Sequence, residues 1–229
     1  MCNMACIEFG EKNLTNEDIG RKRVIEVGAY DVNGSLRPVI EVRKPAEYVG
    51  VDIAGGYGVD VVCPAEDLLE RFGRESFDLV VSTEMLEHVR DWRKVISNFK
   101  GICRPGGAIL ITTRSRGFAY HGWPYDFWRF EPSDMEQIFA DFSIEHLEKD
   151  PLMPGVFIKA RKPEVFHEKG LADMELYSVI TDGRVRDIDD RTLEGRLKQL
   201  AEQYPAERMT LKGRLRTMLR NMIWKLKKI

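Results

Sequence analysis

The sequence predicts an α/β protein: a doubly wound, mostly parallel seven-stranded sheet followed by a C-terminal helical extension. Three observations carry that expectation. Seven runs rich in Val, Ile, Leu and Phe recur between residues 24 and 161, several of them apolar without a break, as strands covered on both faces must be. Stretches of helical period separate most of these runs, and strand–helix–strand repetition implies parallel crossovers. The length of 229 residues suits one such domain with an appendage.

In chain order, residues 11–20 read as a short helix with Thr15 as N-cap and Glu17 in its first turn. Strands are expected at VIEVG (24–28), EYVGVDI (47–53), VDVVC (59–63), FDLVVS (77–82), GAILITT (107–113), FSIEHLE (142–148) and VFIKAR (156–161). Helices are expected at 64–73, 91–103 and 133–140. Only Lys149 to Gly155 links the last two strands, too short for a parallel crossover, so they should form an antiparallel pair at one edge. After Lys162-Pro163 the strand signal fades. The chain therefore divides into a domain over 1–163 and an extension over 164–229.

Composition removes several classes. Hydrophobic residues at 43% and charged residues at 31% exclude a disordered chain. No run of about 18 apolar residues exists to cross a membrane. The start, MCNMACIEFGEKNL, lacks the basic and apolar regions of a signal peptide, and four cysteines are too few for a disulfide framework; a cytoplasmic protein is expected. Residues 208–229 carry eight Lys or Arg and no acid, which leaves 27 basic against 37 acidic residues in positions 1–207. An acidic body is a poor nucleic-acid binder.

Ligands of open parallel sheets bind beyond the carboxyl ends of the strands. The first strand ends in Glu26-Val27-Gly28-Ala29-Tyr30-Asp31, where Gly28 permits a tight turn and close approach of a ligand. The second ends at Asp52, placed to grip ribose hydroxyls; the third leads into Ala65-Glu66; the fourth ends in Ser82-Thr83-Glu84, then Met85-Leu86-Glu87-His88. A pyrophosphate loop wants a second glycine where Tyr30 stands, and Glu26 and Asp31 beside a pyrophosphate would repel it. The same carboxylates suit a ligand carrying an ammonium and a sulfonium. S-adenosyl-L-methionine is therefore favoured over NAD.

The motifs VIEVGAYDVNGS, YVGVDI, PAEDL, FDLVVSTEMLEHV and RPGGAILITT, in this order over residues 22–162, resemble the class I S-adenosylmethionine-dependent methyltransferases, with their Rossmann-like fold. The resemblance is strongest to the small-molecule branch typified by ubiquinone-biosynthesis enzymes. It implies that Glu26 and Gly28, with the loop residues Ala29 and Tyr30, lie under the methionine part. It implies that Asp52 binds ribose, Ile53 packs on adenine, Ala65 and Glu66 face adenine, and Ser82, Thr83 and Glu84 line the methionine end. Tyr30 departs from the family's second glycine.

On the acceptor side, seven of the 22 aromatic residues fall within Phe118 to Phe130. Aromatic faces with a few polar groups make a pocket wall; a packed hydrophobic loop is the competing reading. Tyr120, Trp123, Tyr125, Asp126, Trp128 and Arg129 are the candidate acceptor-binding residues; Tyr125 and Asp126 could equally orient a neighbouring histidine, and Arg129 could pair with Asp126 or Glu131. His121 is the candidate base, with His88 the second. A base points to methylation at oxygen. The pattern H-x-x-P-x-D-x-W-R-F resembles methyltransferases of glycans and natural products, so a small-molecule or sugar-containing acceptor is expected. The four histidines show no ligand spacing, and no metal is expected.

Two alternatives stand beside this reading. An NAD-dependent oxidoreductase fails on the glycine fingerprint. A non-catalytic protein that keeps the cofactor fold could dock a partner through its basic tail. Leu211, Leu215, Met218, Met222 and Leu226 recur there at helical spacing, so residues 208–229 read as a basic amphipathic helix. Peripheral contact with the inner membrane surface, packing on the domain and homodimer formation all remain open for it.

Overall fold

The structure, a computed structural model, describes residues 3–122 and 125–203. Seven strands form one sheet: β1 (Arg23–Val27), β2 (Glu47–Asp52), β3 (Val61–Val62), β4 (Phe77–Thr83), β5 (Cys103–Arg114), β7 (Ser143–Lys149) and β8 (Gly155–Arg161). Their order is β3-β2-β1-β4-β5-β8-β7. The first five are parallel; β8 runs antiparallel to β5, and β7 antiparallel to β8, as the short 149–155 link requires. The strand order reverses between β1 and β4, and ligands of such sheets bind beyond the carboxyl ends at that switch point.

Two apolar layers bury the two sheet faces. On one lie α1 (Met4–Asn13), α2 (Asn16–Ile19) and α3 (Arg37–Glu41), which pack Cys6, Phe9, Ile19, Leu36 and Ile40 against Val24, Leu79 and Leu110. On the other lie α4 (Leu68–Phe72), α5 (Trp92–Ile102) and α6 (Pro132–Ile138). In α5, Trp92, Val95, Ile96, Phe99 and Ile102 recur at three- and four-residue steps, and all are fully buried. Truncating a buried aromatic such as Phe99 to Ala costs about 3–5 kcal/mol.

The amino-terminal helix expected over 11–20 is corrected. The chain is helical earlier, in α1, breaks at Leu14, and restarts at α2, where Thr15 is the N-cap as expected, in a capping box with Asp18, and Glu17 lies in the first turn. The third strand shrinks to two residues. Helix α3 was not expected, because only Leu36 and Ile40 mark its buried face.

The boundary at 163 is not a packing boundary. Strands β9 (Leu176–Ser178) and β10 (Gly183–Val185) form a second small sheet with β6 (Trp128–Arg129), and Leu176, Ile180 and Ile188 join the main core. Arg93 of α5 holds this segment by donating to the carbonyls of Leu171 (2.9 Å) and Arg186 (2.7 Å). Helix α7 (Asp190–Gln203) follows. Among the described residues, no helix is long and apolar enough to cross a membrane. The amphipathic tail expected over 208–229 and the acceptor candidate Trp123 lie outside them.

Candidate functional site

Beyond β1 the chain turns at Gly28 with φ +85°, and a Cβ there would stand 2.7 Å from that of Met85. Gly28 and Ala29 both donate their N–H to the Val51 carbonyl, which draws the loop over the end of β2. Asp52 caps that strand: its carboxylate accepts from Tyr30 N (3.2 Å) and Ala54 N (3.1 Å). Ile53 beside it is 73% exposed, an apolar face without cover. Ala65 is buried and Glu66 half-buried in a short turn, which Asn98 fixes by donating to both carbonyls (2.9 and 2.7 Å). At the ends of β4 and β5, Ser82 Oγ and Thr112 Oγ1 are buried and have no hydrogen-bond partner.

Glu26 points from β1 toward the α3 side and is sealed from solvent. Tyr48 and Ser35 donate hydroxyl hydrogens to it, yet burial holds its carboxyl up at about 7. Glu84, in left-handed conformation at φ +55°, is buried against the Arg114 guanidinium. Burial and the neighbouring Glu87 push its carboxyl well above the usual range.

Just past β4, a second group of side chains converges. Glu87 is wholly buried; its Oε2 accepts from Thr113 Oγ1 at 2.9 Å. Its Oε1 lies 3.5 Å from His121 Nε2 and 3.9 Å from His88 Nε2. The two imidazoles meet edge to face, with centroids 4.7 Å apart. Behind His121, Nδ1 stands 2.8 Å from Asp126 Oδ2, and Asp126 is clamped by Arg129 at 2.5 and 2.7 Å. Behind His88, Nδ1 contacts the Tyr125 carbonyl at 2.5 Å. Burial alone would lower His121, but Asp126 and Glu87 outweigh it and raise its pKa. For His88 burial prevails, and its pKa falls. Burial would raise Glu87, yet the two imidazoles hold it below the carboxylate range. The aromatic segment reaches this place because Phe127 N donates to the Glu87 carbonyl (2.9 Å) and Phe130 N to the Arg114 carbonyl (2.8 Å).

A family model described as a methyltransferase domain matches residues 5–172. The chain belongs to the methyltransferase-domain family. Among curated relatives, it is 31% identical over 108 residues to a ubiquinone biosynthesis O-methyltransferase of Idiomarina loihiensis, covering 42% of this chain and 43% of that one. A protein of the same name from Rhizobium etli is 30% identical over 126 residues, covering 49% of each chain. The chain thus spans about half the length of the curated relatives it matches. Among solved structures, the Burkholderia thailandensis 1,6-didemethyltoxoflavin-N1-methyltransferase, with S-adenosylhomocysteine bound, superposes with a TM-score of 0.55 at 15% identity, over 70% of this chain and 80% of that one. An S-adenosylmethionine-dependent methyltransferase from Mesorhizobium loti gives 0.54 at 17% identity, over 70% and 99%. These likenesses show the class I fold.

The methyltransferase domain presents groups that fit S-adenosylmethionine. They are the Gly28 turn that a Cβ would fill, the Asp52 carboxylate, the bare Ile53 face and the unused Ser82 and Thr112 hydroxyls. Gly28, Ala29, Tyr30, Asp52, Ile53, Ala65, Glu66, Ser82 and Thr83 all lie in the loops or strand ends along that rim. A cleft of about 800 Å³ between Glu11, Arg21, Val39 and Arg43 opens at the opposite ends of the strands and belongs to a different surface.

Several acceptor-side expectations are corrected in this methyltransferase domain. Trp128 and Arg129 are 1% and 0% exposed. They form β6 inside the core: the Trp128 indole donates to the Arg90 carbonyl (3.1 Å), and Arg129 takes the alternative expected of it, pairing with Asp126 and not with an acceptor. Asp126 is likewise buried, and of its two expected roles it takes the one that orients His121. Glu84 is taken up by Arg114 and cannot turn toward a methionine end. Tyr120, half-buried, and Tyr125, 42% exposed, remain at the surface beside the histidines. The expectation that no ligand set exists also fails, since Glu87, His88 and His121 offer three ligand atoms within 4.8 Å of one another. Spacing along the chain concealed them, because His121 arrives on a separate loop. Glu87, Thr113, Asn98 and Tyr48 were not singled out; the only signal for Glu87 was its place beside His88.

Proposed function

We propose that this chain transfers a methyl group from S-adenosylmethionine to an oxygen of a small-molecule acceptor. The observation that carries the reading is the Glu87–His88–His121 cluster, set at the end of β4 beside the rim that fits the cofactor. The cofactor supplies a methyl group activated as a sulfonium. The chain's own part is positioning and oxygen activation. Asp52 and the Gly28 loop hold the cofactor at the strand ends, and Glu26 lies beneath the loop as a buried carboxyl. Glu87, His88 and His121 draw the proton from the acceptor hydroxyl, with Asp126 fixing the orientation of His121. Tyr120 and Tyr125 flank the entrance, where rings suit a flat or sugar-like acceptor. Curated relatives named as O-methyltransferases of ubiquinone biosynthesis support oxygen as the methylated atom.

The test is an acceptor screen with methyl-labelled cofactor, covering phenols, hydroxy acids and free or lipid-linked sugars, after calorimetry has established cofactor binding. Transfer to a hydroxyl supports the reading, and His121→Ala should then lower turnover by about 10²-fold or more with cofactor affinity retained. Tight cofactor binding without transfer to any class would favour a non-catalytic binding protein. Binding of NAD in place of S-adenosylmethionine would overturn both.

A further inference from the structure

We infer that Glu87 Oε1, His88 Nε2 and His121 Nε2 are the protein ligands of a divalent first-row transition-metal ion. The inference deepens the methyl-transfer reading and changes one part of it: the ion's open face is where the acceptor oxygen would bind, and the ion replaces the free imidazoles as the group that activates it. The metal site itself stands on its own geometry.

Each imidazole turns its Nδ1 toward an oxygen acceptor. Behind His88 is the Tyr125 carbonyl at 2.5 Å, a group that only accepts. Behind His121 is the Asp126 carboxylate at 2.8 Å, itself clamped by Arg129. With its hydrogen on the Nδ1 that faces the oxygen acceptor, each ring would present its Nε2 lone pair to an ion. A carbonyl or carboxylate behind each ring is the arrangement that orients metal-ligating histidines. The third atom, Glu87 Oε1, belongs to a residue with no solvent exposure and has no hydrogen-bond partner, while its other oxygen is fixed by Thr113 at 2.9 Å. Among the described residues, neither ring nitrogen of His121 makes a hydrogen bond of normal geometry, so Nε2 is not committed elsewhere. One ligand atom from each of the three residues lies within 4.8 Å of the others. The buried Glu87 carboxylate calls for positive charge there: a proton on His121 Nε2 serves Glu87 alone, whereas a metal ion serves all three.

Ligands about 2.1 Å from a common ion stand roughly 3.0–3.4 Å apart. The spacings of 3.5 and 3.9 Å from Glu87 Oε1 are slightly wider, within reach of small ring tilts. Two imidazoles and one carboxylate form the facial set that leaves positions open, and its nitrogen content favours Mn²⁺, Fe²⁺, Co²⁺ or Zn²⁺ over Mg²⁺ or Ca²⁺. Glu84 is not a fourth ligand, since Arg114 holds it. The open side faces outward past His88 and His121, whose side chains keep 24% and 13% exposure. An acceptor hydroxyl bound there would release its proton to solvent. Its oxygen lone pair would then form the new O–C bond as the C–S bond of the methyl donor breaks, with that electron pair left on sulfur. No oxidation state changes, and the ion acts as a Lewis acid. His121 is then a ligand and not the free base that its sequence context suggested.

The experiment uses the full chain without a histidine tag, stripped with EDTA and titrated with Mn²⁺, Co²⁺ or Zn²⁺ chloride in the absence of cofactor and acceptor. Calorimetry should show one ion per chain, and Co²⁺ should develop visible d–d bands of a mixed nitrogen–oxygen site. His88→Ala and His121→Ala should each weaken binding at least tenfold, while His146→Ala should match the parent. Circular dichroism verifies that each variant is folded, and the two histidine variants make the result independent of the buried Glu87. Absence of stoichiometric binding, or equal binding in the His88 and His121 variants, overturns the metal site. Methyl transfer that persists undiminished in EDTA removes the ion and leaves the methyl-transfer reading intact. Stoichiometric metal with no transfer to any acceptor does the reverse.

Discussion

Asp126 grips His121 twice with one oxygen: Oδ2 accepts the His121 backbone N–H at 2.9 Å and stands 2.8 Å from Nδ1 of the ring. Backbone and imidazole are therefore fixed together, and the rotamer of His121 is set before any ligand arrives. Arg129 makes this possible. It supplies the charge that lets a carboxylate stay ionised at 0% exposure, and with His121 it holds Asp126 at about 2 against the opposing effect of burial. Replacing Arg129 by Met should leave Asp126 buried without its guanidinium and cost about 3–5 kcal/mol of stability in urea unfolding. A loss under about 1 kcal/mol would mean that the pair contributes little to holding the loop.

Asp52 offers its carboxylate to two loop amides, Tyr30 N and Ala54 N, at the end of β2, and is proposed to hold the ribose of the cofactor. Asp52→Ala should weaken S-adenosylhomocysteine binding by roughly 1.5–3 kcal/mol in calorimetry, the range for hydrogen bonds to a charged group. Unchanged affinity would remove Asp52 from the cofactor site.

Glu26 sets a pH dependence. Burial raises its carboxyl to about 7, so it is mostly neutral below that pH and ionised above it. A cationic cofactor attracts the ionised form. Affinity for S-adenosylmethionine should therefore rise as pH increases from 6 to 8 and then level off. Glu26→Gln should flatten the profile. Tyr48→Phe removes a hydrogen bond to the carboxylate, so the rise should move to higher pH. A profile identical in the parent and in Glu26→Gln would refute the assignment.

Asp18 ties the first helices to the edge of the sheet. It accepts from Lys159 Nζ and an Arg161 guanidinium nitrogen, both at 2.7 Å, and closes the Thr15 capping box. Burial opposes ionisation, but Arg161 and Lys159 prevail and hold its carboxyl at about 2 against an ordinary 3.8. A depressed carboxylate stabilises above its unfolded pKa, and that contribution is lost as pH falls through the folded one. Asp18→Asn should lower stability by about 2 kcal/mol at pH 7. The gap to the parent should close between pH 4 and pH 2; a gap that stays constant over that window would contradict the linkage.

The sheet was legible in the sequence because strands buried on both faces must be written as uninterrupted apolar runs. VIEVG, FDLVVS and GAILITT all became central strands. The convergence of Gly28, Asp52 and Ser82–Thr83 was legible for a related reason: each ends a strand, and a parallel sheet brings its strand ends to one edge whatever the loops do. The start of α1 and the short α3 were less so, since Leu36 and Ile40 are too few to establish a period.

What only the tertiary structure decided is which polar residues meet. His88 and His121 sit on different connections, and nothing in their spacing relates them. They come together because the backbone of Phe127 docks on Glu87 and because β6 finds its partner, β9, far downstream. The same docking takes Trp128 and Arg129 out of the acceptor wall and into the core. Local pattern records which face of an element is buried, because burial acts on one residue at a time. A ligand set or an ion pair depends on two or three residues at once, and their meeting is settled by the path of the chain between them.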